Sequence, residues 1–418
     1  MNSAIADYRR LWGAAGLSFV TVAFLGRIPL AMSQMGVLLL VAQATGRYGI
    51  AGATAGALAV ANAAGSPFFG ALADRIGQRP VVLIQSVAGS LGLVSIVFFA
   101  GQEVSSAVLV VVAALTGLAM PQVGPLARVR WRPVLALRVN EGRIRKDEVD
   151  RFVDLAFSYE GAGDEASFVL GPALVGILGV LIGAEGALLA AAVLLLVFGT
   201  WFAAHRTAAL VPRGSEHAPT HGVRLWTSAF LSLAAAVFLM GVLFGSIQTG
   251  TTVLATDQGH PDVAGLIHAV LGIGSVVAAF ALAAVPASVL YATRMLIASG
   301  AMLALASPLM FVHTIPQLVA VIALMGFAVA PYLISAFALA GLIVPPARIG
   351  TAMTFMAGAT GLGYATGASI AGRAADGAFG SEGPTPAFTV TIAAMGAALL
   401  LSLASQRVLR RAKIASSV

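Results

Sequence analysis

Apolar residues run along this chain in blocks of about twenty or more, the length that crosses a hydrocarbon core of about 30 Å as a helix. Twelve blocks reach that length: 13–42, 49–70, 81–100, 104–127, 152–181, 184–204, 225–255, 263–285, 291–312, 315–343, 350–372 and 386–406. Polar and charged residues collect between them. The pattern predicts an all-α membrane protein with twelve spanning helices. The longer blocks must tilt, kink or protrude, and Pro29 and Pro172 mark where kinks are expected.

Alternating the connections from one side of the membrane to the other sorts the basic residues. The chain has 24 Lys and Arg, and with the N-terminus inside all but Arg27, Arg47 and Arg373 fall on the cytoplasmic side. This is the positive-inside bias, and it places both termini in the cytoplasm. An error in the number of spans would scramble it. The start, "MNSAIADYRRLWGAAG", has no small-residue cleavage site after a short apolar core, so it reads as a cytoplasmic tail leading into an uncleaved first span.

The least apolar break, "AHRTAALVPRGSEHAPTHGVRLW" (203–226), divides the chain into a six-helix half at 1–204, a linker at 205–224 and a second six-helix half at 225–418. Two such halves are the usual layout of a repeat-built transporter with its site at their interface. Inside the linker, "LVPRGS" (210–215) is identical to a thrombin recognition sequence. An engineered insertion and a chance match both remain open.

Composition agrees. The residues are 59% hydrophobic and 10% charged, against about 25% charged in soluble domains, and the mean hydropathy is +0.94. The net charge of +7 follows from the cytoplasmic loops and implies no nucleic acid. Cysteine is absent, which excludes disulfides and thiolate chemistry. No nucleotide loop, metal-ligand cluster or catalytic triad stands out, so neither an enzyme nor a bound cofactor or metal is expected. The stretch "RVRWRPVLALRVNEGRIRKDEVDR" within 128–151 reads as an anchor against anionic lipid headgroups, or else as a regulatory or partner surface. The small residues of "GATGLGYATGASIAG" (358–372) read as close helix packing, not as a phosphate loop.

Between the second and third blocks the chain reads "GALADRIGQRPVVL" (70–83). Gly70 and Gly77 permit a tight turn, and Asp74 is an acid in a basic loop, placed to hold arginines or a helix N-terminus. Such a contact forms in one conformation and breaks in another, as a latch does. With Leu72, Ala73, Arg75 and Arg79 the loop resembles the signature of the major facilitator superfamily, G-x-L-a-D-r-x-G-x-[RK]. The resemblance implies the twelve-helix fold in two pseudo-symmetric halves, with Asp74 and Arg79 stabilising the outward-facing state through the start of helix 11, "ARIGTAM" (347–353). The corresponding loop of the second half lacks the acid and the glycines, so the latch would be one-sided.

In helix 5, "FVLGPALVG" (168–176) resembles in part the Gly-Pro motif of the superfamily's antiporters and drug exporters. Gly171, Pro172 and Gly176 fit, while Ser167 stands where a glycine is common. Export is implied; a kinked packing helix is the plainer reading. The arginine such antiporters often carry in helix 4 is missing from "VVVAALTGLAMPQVGP", so coupling must use other groups or be absent.

Arg27, inside the first block, costs at least about 2.5–3.5 kcal/mol at the bilayer centre unless something offsets it. Glu160, Asp164 and Glu165 supply acids at a similar depth of helix 5, and Glu160, Asp164, Phe168, Gly171 and Val175 share one helical face. Helices 1 and 5 are neighbours in the superfamily fold, so a buried Arg27–carboxylate pair is expected, with Pro29 freeing a carbonyl for the guanidinium as well. The pair is either purely structural or the place where one acid takes up a proton. By family analogy helices 1, 4, 7 and 10 line the cavity, which favours Gln34, Gln122, Gln248 and Tyr332 as substrate contacts; each is otherwise an internal hydrogen-bond partner. His268 in helix 8 could titrate near neutrality, or be structural.

The reading is a monomeric secondary transporter of a bacterial inner membrane that exports a small amphipathic compound by alternating access, with the proton gradient as its energy source. An uptake carrier or uniporter for a polar metabolite and a lipid-moving envelope protein are its rivals.

Overall fold

The computed structural model describes residues 2–45, 48–102, 104–212, 225–260, 263–286, 288–345, 348–378 and 380–415. Arg47, most of the linker expected at 205–224 and the end of "LVPRGS" lie outside the described residues. Among those residues the regular elements are helices, beside one isolated bridge between Asp376 and Glu382.

The helices fall into two compact units. The first comprises Met1–Ala156, Ser167–Val223 and Pro346–Gly358, and the second Phe157–Ala166, Arg224–Pro345 and Ala359–Val418. In chain order the first unit holds α1 (Asn2–Ala15), α2 (Leu17–Leu25), α3 (Ile28–Thr45), α4 (Tyr48–Ile76), α5 (Gln78–Ala100), α6 (Ser106–Ala119), α7 (Val123–Asn140), most of α8 (Val149–Leu194) and α9 (Thr200–Ala204). The second holds α10 (Ser228–Asp257), α11 (Ala264–Ala281), α12 (Tyr291–Ala306), α13 (Ile315–Ile343), most of α14 (Ile349–Ala375) and α15 (Pro384–Ala415). Neither unit is one continuous stretch of chain. Ten residues from the middle of α8 belong to the second unit, and the first turns of α14 belong to the first.

Nine stretches among the described residues are long and apolar enough to cross a membrane. One of them, Lys146–Ala204, has 59 residues, more than two crossings need at about 20 residues each. Gly183 divides it: its φ of 77° and ψ of 167° belong to a region that is essentially glycine's alone. Leu266–Ala281 is a shorter apolar helix, and α14 is a Gly- and Thr-rich helix of 27 residues, so the described residues hold about nine to twelve apolar helices. On α5, Ile84, Leu91 and Phe98 recur every seventh residue and stay 66%, 62% and 62% exposed, an apolar stripe for lipid tails.

The breaks follow from prolines and glycines, though not all where the apolar blocks place them. Pro29 has no N–H to offer the carbonyl of Leu25, and the first crossing breaks just before it, at Gly26 and Arg27. Pro172 lies inside α8, which continues past it to Gly183. The block 104–127 is not one helix. Pro121 forces Met120 into an extended conformation (φ −73°, ψ 122°), so α6 ends and α7 begins at Val123. The carbonyls this frees are answered by Asn62 of α4, whose Nδ2 donates to Gly117 O at 3.0 Å and Met120 O at 2.9 Å.

The basic stretch after that break differs most from its reading as a headgroup anchor. It is helical to Asn140, and Arg128 and Arg130 are buried together with Val129, Trp131, Val134 and Leu135. Arg130 is caged by dipoles instead of a carboxylate. Its Nε donates to Gln78 Oε1 at 2.8 Å, one terminal nitrogen donates to Phe202 O and Thr207 Oγ1, and the guanidinium stacks 3.5 Å from the centre of the Phe202 ring. The exposed arginines, Arg143, Arg145 and Arg151, come only after α7 ends.

The same cage sets a pH dependence. His205 caps the short 3-10 helix Arg206–Leu210: its Nδ1 accepts the Thr207 N–H at 3.3 Å, and its Nε2 lies 3.1 Å from Ser18 Oγ. Burial pushes the imidazole pKa down, and Arg130 and Arg206 push it further. Because the folded pKa lies below the unfolded value of 6.5, the stabilisation is complete above that value and is lost as pH falls through it. Melting temperatures of detergent-purified protein should therefore fall between about pH 7 and pH 5. Asn at position 205 can still cap the helix but cannot titrate, so His205→Asn should flatten the slope; an unchanged slope would assign it to other groups.

Packing in the second unit uses the small residues anticipated in 358–372. Gly241 and Gly245 of α10 meet Gly363 and Gly367 of α14 so closely that a Cβ on Gly363 would stand 2.0 Å from the Phe238 carbonyl oxygen. At that crossing Tyr364 donates to Gln248 Oε1 at 2.6 Å.

Candidate functional site

The end of α4 and the turn into α5 carry the clearest built site. Gly77 makes the turn with a φ of 94° and is the N-cap of α5. One turn earlier, Asp74 reaches the first turn of α14. Its Oδ1 accepts the Gly350 N–H at 3.0 Å, while Oδ2 accepts the Thr351 N–H at 2.7 Å and the Thr351 hydroxyl at 2.6 Å. A carboxylate thus occupies the N-terminus of a 27-residue helix, where unpaired N–H groups and the helix dipole favour an anion. The fit depends on glycines on both sides. A Cβ on Gly350 would stand 2.3 Å from Asp74 Oδ1, and one on Gly70 would stand 1.9 Å from Thr354 Oγ1. Arg348 lies near enough to act electrostatically on the carboxylate. Arg75 and Arg79 are exposed.

The acids of α8 lie in the segment assigned to the second unit. Glu160 is completely buried, and Asp164 and Glu165 are half-buried. Glu165 lies beside Ser275 of α11. Gly161, one residue after Glu160, lets α13 approach: a Cβ there would stand 2.4 Å from Ile334 Cγ1. On the first-unit side of α8, Gly171 packs on the backbone of α3, where a Cβ would stand 2.9 Å from the Ala31 carbonyl carbon; Gly176 faces open space.

Arg27 is 6% exposed. The break at its position explains one of its bonds. Its N–H turns to the Phe24 carbonyl at 3.3 Å, and the Ala23 carbonyl, which a continuous helix would have bonded to that N–H, accepts from Arg27 Nε at 3.0 Å. Among the other polar candidates, Gln122 donates to Asn62 Oδ1 at 2.6 Å, tying it to the α6–α7 break. Gln34 is half-buried, and Gln248 is engaged by Tyr364. Tyr332 is fully buried on α13. Among the described residues no group of three His, Asp or Glu side chains is placed to hold a metal ion.

Comparison with known proteins decides what such a chain is. The sequence model of the Major Facilitator Superfamily matches residues 14–290 and again 253–415. The chain belongs to the major facilitator superfamily. No curated protein matches it. Among solved structures, the human organic anion transporter MFSD10 (TETRAN) superposes with a TM-score of 0.68 at 19% identity, over 92% of this chain and 99% of that one. A bacterial homologue of the iron transporter ferroportin in an outward-facing state gives 0.67 at 14% identity, over 93% and 98%. At such identities the likeness is one of fold. The protein is therefore a multi-pass membrane transporter of this superfamily, not an enzyme.

Within the superfamily loop, the residues Gly70, Asp74 and Gly77 are those that shape the contact with α14. Thr351, which gives Asp74 two of its three hydrogen bonds, carries no signal of its own in the sequence beyond its place after Gly350. The Arg130 cage was hidden for another reason: its charge reads as loop, and only the fold shows Gln78, Phe202 and Thr207 around it.

Proposed function

We propose that this transporter couples the export of a small amphipathic compound to protons, and that the coupling group is among the acids of α8. The observation that carries the reading is the placement of Glu160, Asp164 and Glu165 midway along an apolar membrane helix, with Glu160 sealed from solvent. Two neighbouring carboxylates in a low dielectric repel each other, and taking up one proton relieves that repulsion. Ionisable groups at this depth mark ion pathways more often than packing. The Gly171–Pro172–Gly176 resemblance supports export, and the positive-inside pattern supports cytoplasmic termini in a bacterial inner membrane.

In this reading Asp74 sets the mechanical equilibrium. Its three hydrogen bonds hold the first turn of α14 in one conformation and release it in the other. The experiment is exchange in liposomes reconstituted with the full chain, using a panel of labelled amphipathic cations and anions and an internal pH dye. Movement of a panel compound against protons supports the reading. Cotransport with protons, or translocation without them, would favour an uptake carrier; movement of labelled phospholipid alone would favour a lipid mover.

A further inference from the structure

Serines in membrane helices usually satisfy their hydroxyls on their own backbone. In this protein Ser86, Ser246 and Ser335 do so, each donating to the carbonyl four residues earlier at 2.6–2.7 Å. Ser275 of α11 does not. Its side chain is 0% exposed and its Oγ bonds no carbonyl of its own helix; the group that faces it is the Glu165 carboxyl, beyond a well-formed hydrogen bond. Seven residues earlier on the same helix, His268 Nδ1 is also sealed from solvent and without a hydrogen bond. Each such atom calls for a partner, because buried polar groups are nearly always bonded to protein or water. A spacing of seven puts both on one face of α11, about 10 Å apart along its axis.

We propose that His268 and Ser275 form a proton path from the Ala264 end of α11 to the Glu165 carboxyl. The proposal rests on the reading that the α8 acids take up the coupled proton. The geometry gives the path a direction: His268 lies in the second turn of α11 and Ser275 near mid-membrane, beside Glu165. The connection leading into α11 carries exposed Asp257 and His260, which can collect protons at that end. With the positive-inside orientation, this is the side from which protons flow inward. Among the described residues, the helices packed on α11 bring Tyr332 on α13 and Asp257 on α10 as titratable groups, and α8 meets α11 through Glu165. A hydroxyl can accept one proton while passing on another, and a half-buried imidazole can do the same through its two nitrogens. Water molecules between them would complete the relay.

The test uses the proton itself as probe. The full chain in liposomes is subjected to a rapid pH drop, and the infrared band of protonated carboxyl groups is followed in time. Glu165→Gln should remove part of that band; if the band is unchanged, the reading of Glu165 as a proton acceptor fails, and the path with it. Given that loss, Ser275→Ala and His268→Gln should slow the band's appearance by about a hundredfold, the scale of a positioned proton-transfer group, while leaving its final amplitude intact. Ser275→Thr keeps a hydroxyl and should restore the rate. Ser275→Ala removes no hydrogen bond to the backbone, so it should fold normally and decides the matter even if His268→Gln does not fold. Protonation of Glu165 at the wild-type rate in Ser275→Ala would overturn the path while sparing the acid's role.

Discussion

Asp74→Asn is expected to fold, insert and melt like the wild type, yet to transport about ten- to a hundredfold more slowly, a barrier change of about 1.4–2.8 kcal/mol. The carboxylate accepts three hydrogen bonds from Gly350 and Thr351 with both of its oxygens. An amide keeps one acceptor oxygen and turns an NH2 group towards donors, so at least one bond is lost and a repulsive contact appears. Hydrogen bonds to a charged group are worth about 1.5–3 kcal/mol each, and the negative charge at the α14 dipole goes as well. The loss falls on one conformation of a two-state element, so it changes populations more than stability. Hydrogen–deuterium exchange should show the change directly, with the Gly350 and Thr351 amides exchanging faster in the variant. Gly350→Ala should reproduce it, because its Cβ would stand 2.3 Å from Asp74 Oδ1. Wild-type exchange and wild-type rates in both variants would remove the latch.

The acids of α8 should separate into structural and coupling members when neutralised singly. Glu160 is 0% exposed, and a charge at such a site persists only with its partners in place. Glu160→Gln should therefore cost about 3–5 kcal/mol and express poorly. Glu165→Gln should behave in the opposite way. Asp164, next to it in the chain, is a second carboxylate in the same apolar surroundings, so the amide relieves a conflict, and the variant should be at least as stable as wild type while losing transport driven by a pH gradient. Energy-independent exchange of substrate should survive. Thermal melting and counterflow measured on the same preparations separate the two effects. A Glu165→Gln variant that still responds to a pH gradient would move the coupling role elsewhere on the helix.

Much of the fold was legible because lipid makes apolar length a reliable signal. The block 315–343 coincides with α13, and 152–181 and 184–204 flank the break at Gly183. Hydropathy alone hid the division of 104–127, since Pro121 and Gln122 barely lower its average; the break is a backbone event that Asn62 makes tolerable. It likewise could not show that Arg128 and Arg130 turn inward, because burial of a guanidinium depends on carbonyls, an amide and a ring contributed by distant segments.

The site was legible in the same uneven way. Asp74 was visible as an acid in a basic, glycine-bounded turn. The acids of α8 were visible as charges in an apolar run. Ser275 was not, since a lone serine in a membrane helix ordinarily bonds its own backbone, and only the fold shows that this one does not.

The central claim is that transport is coupled to protons through Glu165. Its most direct test is the pH inside liposomes carrying wild-type or Glu165→Gln protein when a gradient of an exchanged panel compound is imposed without any initial pH difference. Proton movement opposite to the compound in the wild type, and compound movement without protons in the variant, is the predicted result. Protons moving equally in both, or in neither while the compound still crosses, would contradict it.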